Sequence, residues 1–273
     1  MPYDLRSHPL TGILVAFIIM LLWIGSLAFL SFIDVTPSIA ILVLAAILGR
    51  TFIQTGLFIV AHDAIHGSVM PSNRRSNNLV GRLAVTLYAC LSYQQLAVNH
   101  RQHHRYPGRV GDPDFHDGTH HDIFSWYLKF MTGYLDLRQT VVQFFWFGII
   151  FLALYFGLHI GIANLLLFWL LPILLSTLQL FFFGTYLPHR NAIGETDKTK
   201  NSHHATSSNY PLILSFLTCY HFGYHWEHHE YPFLPWYQLP SSLSFDFNGG
   251  LITHQFDRCE DLNRTDIVAT DTK

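Results

Sequence analysis

Long apolar runs with short polar breaks set the architecture of this chain. Leu10–Ile33 (LTGILVAFIIMLLWIGSLAFLSFI) contains no charged residue, and after the break DVTP a second run starts at Ser38 and continues to about Ala61. A helix needs ~20 apolar residues to cross ~30 Å of hydrocarbon. Both runs are long enough, and the first is too long for the core of a signal peptide. A third uncharged stretch, Gln139–Pro188, holds two more such helices, with GLHIG (157–161) supplying the turn between them. The pattern predicts spans at about 10–33, 38–61, 139–158 and 162–188, arranged as two hairpins. Two further apolar stretches, 83–98 and 211–220, are too short or too polar to cross and are expected to be re-entrant or interfacial.

The expected fold class is therefore an all-α integral membrane protein. Residues 1–240 read as a single domain, and 241–273 as a polar C-terminal tail. The turns at 34–37 and 157–161 contain no Lys or Arg. Apart from Arg50, every basic residue lies in the N-terminal segment, in the 62–138 loop or after Pro188. The positive-inside tendency places those three segments, and both termini, on the cytoplasmic side. Arg50, inside the second span, is expected to snorkel toward that side or to pair internally.

Composition agrees with a lipid-facing surface: 12% of residues are charged, against roughly 25% in a soluble domain. A net charge of −2 excludes a strongly basic nucleic-acid binder. Cys90, Cys219 and Cys259 are widely spaced and odd in number, which reads as isolated reduced thiols.

Histidine is the anomaly, with 18 copies against 16 Lys and Arg together. HDAIH (62–66) lies where the second span leaves the membrane, and YLPHR (186–190) where the fourth does. HRQHH (100–104) and HWEHH (225–229) follow or end the two short apolar stretches. On the predicted topology all four strings share one membrane face. On a helix, positions i, i+3 and i+4 project together. His62 with His66, His100 with His103 and His104, and His225 with His228 and His229 can therefore each address one place. Adding His189 gives nine candidate ligands, more than a single ion can use, so two metals are the simplest arithmetic.

An all-nitrogen donor set suits Fe, Zn, Cu or Ni over Mg or Ca. Two metals beside hydrocarbon suggest oxygen chemistry on a lipid, which favours iron over redox-inert zinc. His221, one turn before His225, is a tenth candidate. His116, His120 and His121 are assigned surface or outer roles, His203 and His204 a solvated loop, and His8, His159 and His254 no part in the site. Asp63, Asp112, Asp114, Glu227 and Glu230 are the carboxylates from which partners for the metal-bound imidazoles are expected.

The strings HDAIHG, HRQHHRYPG, DPDFH, FGTYLPHR and HFGYHWEHHEYPFLPWYQLP closely resemble those of bacterial and cyanobacterial β-carotene ketolases. These belong to the histidine-rich membrane di-iron superfamily that includes fatty-acid desaturases and alkane hydroxylases. The resemblance runs from about Gly49 to Pro240 and is most specific in the last string. It implies four spans capped by a cytosolic di-iron site, with His62, His66, His100, His103, His104, His189, His225, His228 and His229 as ligands. One departure is Thr185, which stands where membrane desaturases often carry Asn four residues before the histidine matched by His189. The departure bears on what completes one iron's coordination.

The implied activity converts the C4 methylene of a β-ionone ring to a ketone, taking β-carotene to echinenone and then canthaxanthin. It proceeds by two O2-dependent hydroxylations and a dehydration. The implied partners are a carotenoid entering from membrane lipid and a ferredoxin-like electron donor supplied by NAD(P)H, with no nucleic acid. A fatty-acyl desaturase or lipid hydroxylase of the same superfamily is the alternative. An intramembrane zinc protease is disfavoured because HDAIH lacks the Glu of HExxH. A metal transporter is disfavoured by the uncharged first, third and fourth spans.

Overall fold

The structure, a computed structural model, describes residues 10–190 and 203–242, so the predicted tail, His8, His254 and Cys259 lie outside the described residues. Among the described residues every regular element is helical. Four of the described helices are long and apolar enough to cross a membrane: α1 (Thr11–Leu30), α2 (Pro37–His66), α6 (Leu137–Gly157) and α7 (Ile162–His189). Between and after them lie α3 (Arg74–Ala89), α4 (Tyr93–Arg105), α5 (Ile123–Tyr134), α8 (Leu212–Cys219) and α9 (His225–Glu230). The short polar connections supply the caps. Asn73, Ser92, Asp122 and Asp136 each accept backbone N–H bonds at the starts of α3, α4, α5 and α6, the positions where such residues satisfy otherwise unpaired donors.

The second span is longer than its apolar run. It continues past Ala61 to His66 and stops at Gly67, whose φ of +83° is the left-handed geometry that ends a helix without a Cβ penalty. HDAIH is therefore the last helical turn, and His62 and His66 fall on one face.

The stretch at 83–98, expected to be one short segment, is two helices. Cys90, at φ +54°, breaks it after Ala89, and α4 restarts at Tyr93. The break lets α3 lie flat against α2. Ala84 and Val85 are fully buried there, and a Cβ on Gly81 would sit 2.7 Å from that of Ala64, so only glycine permits the approach. Gln54 from α2 donates to the Tyr88 carbonyl. The thiols of Cys90 and Cys219 are unpaired, as expected.

Arg50 pairs internally. Pro172 in α7 has no N–H to offer the carbonyl four residues back, and that carbonyl, on Phe168, accepts from Arg50 Nε at 3.0 Å. Arg50 Nη1 donates to the Trp23 carbonyl at 2.8 Å and to Ser26 Oγ at 2.9 Å, and its guanidinium lies 5.1 Å from the centroid of the Trp23 ring. A proline-freed carbonyl in hydrocarbon costs several kcal/mol unless satisfied. The arginine satisfies it and ties α1, α2 and α7 together. Pro188 likewise relaxes the end of the same helix, which widens to π geometry over Phe181–Tyr186.

The third span is the least enclosed. Within α6 only Gln139 is buried. Gln139 and Gln143 donate to the carbonyls of Cys90 and Ala89 and anchor the helix at the end where α3 stops.

Candidate metal centre

All nine histidines singled out by spacing meet above one end of the bundle. They fall into two groups. One ring nitrogen from each of His62, His66, His100 and His228 lies within 4.8 Å of the others, and the same holds for His103, His189, His225 and His229. His104 joins the first group, with its Nε2 at 3.1 Å from that of His100 and 2.9 Å from that of His228.

Helical geometry explains the division. In α4 the i and i+4 residues, His100 and His104, serve the first group while the i+3 residue, His103, serves the second. In α9 the assignment is reversed: His225 and His229 serve the second group and His228 the first. The two HxxHH turns thus exchange one imidazole each across the site. The C-termini of α2 and α7 supply the rest: His62 and His66 to one side, His189 to the other.

The orientation of the rings is what a metal requires. His103 directs Nδ1 at Asp112, 3.0 Å from both carboxylate oxygens, and His189 directs Nδ1 at the carbonyl of His204 at 2.8 Å. A neutral imidazole carries one N–H. With that proton spent outward, the inward Nε2 of each ring presents a bare lone pair. Those nitrogens face others at close range, His189 against His225 at 2.9 Å and His103 against His229 at 3.0 Å. A cation among these nitrogens would let every one of them act as an acceptor at once, so the donor set fits a pair of transition-metal ions.

Asp112 is itself held fast, accepting N–H bonds from Gly108 at 2.8 Å and Asp114 at 2.9 Å. Asp63 stands 3.3 Å from His62 Nδ1 and accepts the Trp236 N–H at 3.1 Å. Of the other carboxylates, Glu230 pairs with His203 at 2.8 Å, and Glu227 accepts from Ser207. Asp114 accepts from the Tyr134 hydroxyl at 2.5 Å.

Three expectations change. The pair His203 and His204 is not a solvated loop: both are half-buried, one bound to Glu230 and the other offering its carbonyl to His189. His221, the tenth candidate, is in neither group. Its Nδ1 lies 3.1 Å from Ser215 Oγ and its ring stacks on Trp236. His116 is buried but bonds to His121 at 3.1 Å, apart from the site, while His120 pairs with Asp117. The role of the His204 carbonyl was not legible, since a backbone acceptor leaves no mark in the sequence.

Burial, and then the charge of neighbouring imidazoles, holds His100, His104, His225, His228 and His229 below the ordinary imidazole value of 6.5. Burial acts the same way on His103, but Asp112 and Asp114 outweigh it and raise that ring. The five depressed rings stay neutral in the folded protein at pH values where an unfolded chain would already protonate them. Below about 6.5 the unfolded state therefore binds more protons, and stability falls as pH falls. Sequence alone suggests that metal affinity weakens as pH drops through about 6. In the metal-free protein, burial couples protonation of these rings to unfolding. Acid titration of the metal-free protein should show helical circular dichroism falling below 6.5. A metal-free protein that stays fully helical as these rings protonate would contradict this coupling.

The fold and the centre define a class: an all-helical membrane protein with two facing polyhistidine sites. Residues 37–242 match the fatty acid desaturase family, and the chain belongs to it. Among its relatives, Beta-carotene 4-ketolase 3 of Haematococcus lacustris is 42% identical over 192 residues, which covers 69% of this chain and 58% of that protein. Zeaxanthin 4-ketolase of Chlamydomonas reinhardtii is 42% identical over 191 residues, 69% of this chain and 41% of that protein. The Beta-carotene ketolase of Paracoccus sp. (strain N81106 / MBIC 01143) is 41% identical over 204 residues, 74% of this chain and 79% of that protein. The chain thus spans about half the length of the algal relatives and most of the bacterial one.

Proposed function

We propose that this protein is a carotenoid 4-ketolase, oxidising the C4 methylene of a β-ionone ring to a ketone. The nine histidines hold two iron ions. His62, His66, His100, His104 and His228 serve one, and His103, His189, His225 and His229 the other. Two irons bound there would supply the reduction of O2 that hydroxylation of the allylic C4–H bond needs. The overall balance is one CH2, two O2, four electrons and four protons giving one C=O and three waters. Each round adds one hydroxyl to C4, and the resulting gem-diol loses water. Electrons come from a ferredoxin-like protein supplied by NAD(P)H.

The observation that carries the reading is the cavity immediately beside the histidines. His62, His100 and His225 form its edge, and its remaining wall is largely apolar, with Phe58, Leu96, Leu180 and Phe222. A neutral hydrocarbon ring suits the apolar part of this wall, whose polar members besides the imidazoles are Asp114, Tyr134 and Thr185. Asp112 and the His204 carbonyl keep the rings of His103 and His189 in the tautomer that faces inward. The six arginines Arg74, Arg75, Arg82, Arg101, Arg105 and Arg109 lie on exposed surface of α3, α4 and the loop that follows. They favour the cytoplasmic side for this end of the bundle. The names of the relatives agree with the substrate class.

The acyl desaturase reading uses the same metals on a different chain. Expression in cells that accumulate β-carotene separates the two. Red-shifted echinenone and canthaxanthin in the pigment extract are expected, with iron in the purified protein. Unchanged β-carotene accompanied by newly unsaturated acyl chains would overturn the ketolase reading. Supplying zeaxanthin in the same cells tests whether a 3-hydroxylated ring is accepted.

A further inference from the structure

A second apolar space lies outside the bundle, a groove of about 360 Å³ between α5 and α7. Ile123, Phe124 and Tyr127 form one wall; Leu178, Phe181 and Phe182 form the other. On α7 these last three precede His189 by 7 to 11 residues, roughly 10–17 Å along a helix at ~1.5 Å per residue. The groove therefore opens at hydrocarbon depth beneath the histidines.

Groove and inner cavity meet at one aromatic contact. Phe181 belongs to the groove, its chain neighbour Leu180 to the cavity, and Phe130 of α5 to the cavity. The rings of Phe130 and Phe181 have centroids 5.5 Å apart, and Tyr127 packs on Phe181 at 5.2 Å. Phe181 opens the second of the two π segments of α7, and such segments recur at functional sites. Phe130 is only half-buried. On the far side of the pair, Gly184 keeps the cavity open. A Cβ there would lie 3.0 Å from the Phe222 ring.

The lining identifies the occupant. Among the described residues no charged side chain borders the groove, and the one polar side-chain atom in its lining, the Tyr127 hydroxyl, is bonded to Thr177 Oγ1 at 2.8 Å. A carboxylate, phosphate or acyl thioester headgroup would be desolvated there without a partner. A rigid polyene ending in an apolar ring loses nothing by entering. We propose that this groove is the lateral entrance by which the end ring of a neutral carotenoid passes from lipid to the histidines, with Phe130 and Phe181 as its gate. The proposal rests on the carotenoid reading above and adds the route.

Blocking the groove tests it. Phe124→Cys and Leu178→Cys place thiols on opposite walls at exposed positions. Val141→Cys places one on the exposed face of α6 as a control. Each full-length variant is reacted with N-benzylmaleimide in detergent and compared with its unreacted form and with the reacted parent. Two quantities are read: ketone formation from β-carotene, and β-carotene binding to metal-free protein by quenching of tryptophan emission. Each labelled groove variant should lose at least tenfold in kcat/KM and in affinity relative to its own unlabelled form, while labelled Val141→Cys matches its unlabelled form. If the parent forms keto-carotenoids and the labelled groove variants still bind and turn over normally, the entrance is overturned and the ketolase reading stands. If the unmodified parent neither binds nor oxidises β-carotene, the functional reading falls and the entrance with it.

Discussion

His103→Ala and His228→Ala should each abolish ketone formation while leaving the protein folded with one of two metal ions. The residues belong to opposite groups and are the i+3 members of the two HxxHH turns. Each variant therefore removes one inward nitrogen from one position and none from the other. Losing a ligand should cost more than the ~10–100-fold in metal affinity that losing an outer partner costs. A two-metal reaction has no partial mode when one position is empty. His116→Ala is the matched control, since His116 is equally buried and bonded only to His121 and to a backbone N–H. It should retain both ions and full turnover. The measurements are iron per purified protein and keto-carotenoid yield in β-carotene-producing cells. Full iron and full turnover in both His103→Ala and His228→Ala would remove these residues from the centre.

The spans were legible because hydropathy accumulates over some twenty residues and tolerates local error. Only the ends were displaced, most at α2, where polar HDAIH continues the helix beyond its apolar part. The histidines were legible because i, i+3 and i+4 spacing is a statement about helix geometry, and the strings are indeed helical at α4 and α9. That spacing was expected to bring each cluster to one place; instead each HxxHH turn is split, its i and i+4 rings in one group and its i+3 ring in the other. The i/i+4 pair of one turn and the i+3 residue of the other point to the same side.

What the sequence withheld depends on loops. Asp112 meets His103 because Gly108 to Asp114 folds back over α4, a path with no periodicity to announce it. The gate depends on Phe130 and Phe181, which lie 51 positions apart and have no motif around them. Arg50 was legible as an anomaly, but its partner was not. The proline that frees its acceptor lies 122 residues later in the chain.

Asp112→Asn should weaken the second metal position selectively, by ~10–100-fold in affinity, with a smaller effect on the fold. The carboxylate does two jobs. Its charge fixes the proton of His103 on Nδ1, and its two oxygens also receive the N–H groups of Gly108 and Asp114. Asparagine keeps one acceptor oxygen and turns the other into an NH2 group, which then faces a donor. His103 either loses its outward bond or keeps it at the expense of the loop. In both cases the ring is freer to rotate, and its other tautomer points a proton at the metal. Asp112→Ala removes both acceptors and leaves buried donors unpaired at ~1–3 kcal/mol each, so it should also lower Tm. Comparing the two separates orientation from scaffolding. Chelator competition reads metal affinity, and thermal unfolding of metal-free protein reads the loop. Asp63→Asn, at the longer 3.3 Å contact with His62, should weaken the opposite position less. If Asp112→Asn binds both ions as tightly as the parent and only Tm moves, the carboxylate supports the loop and does not aim the imidazole.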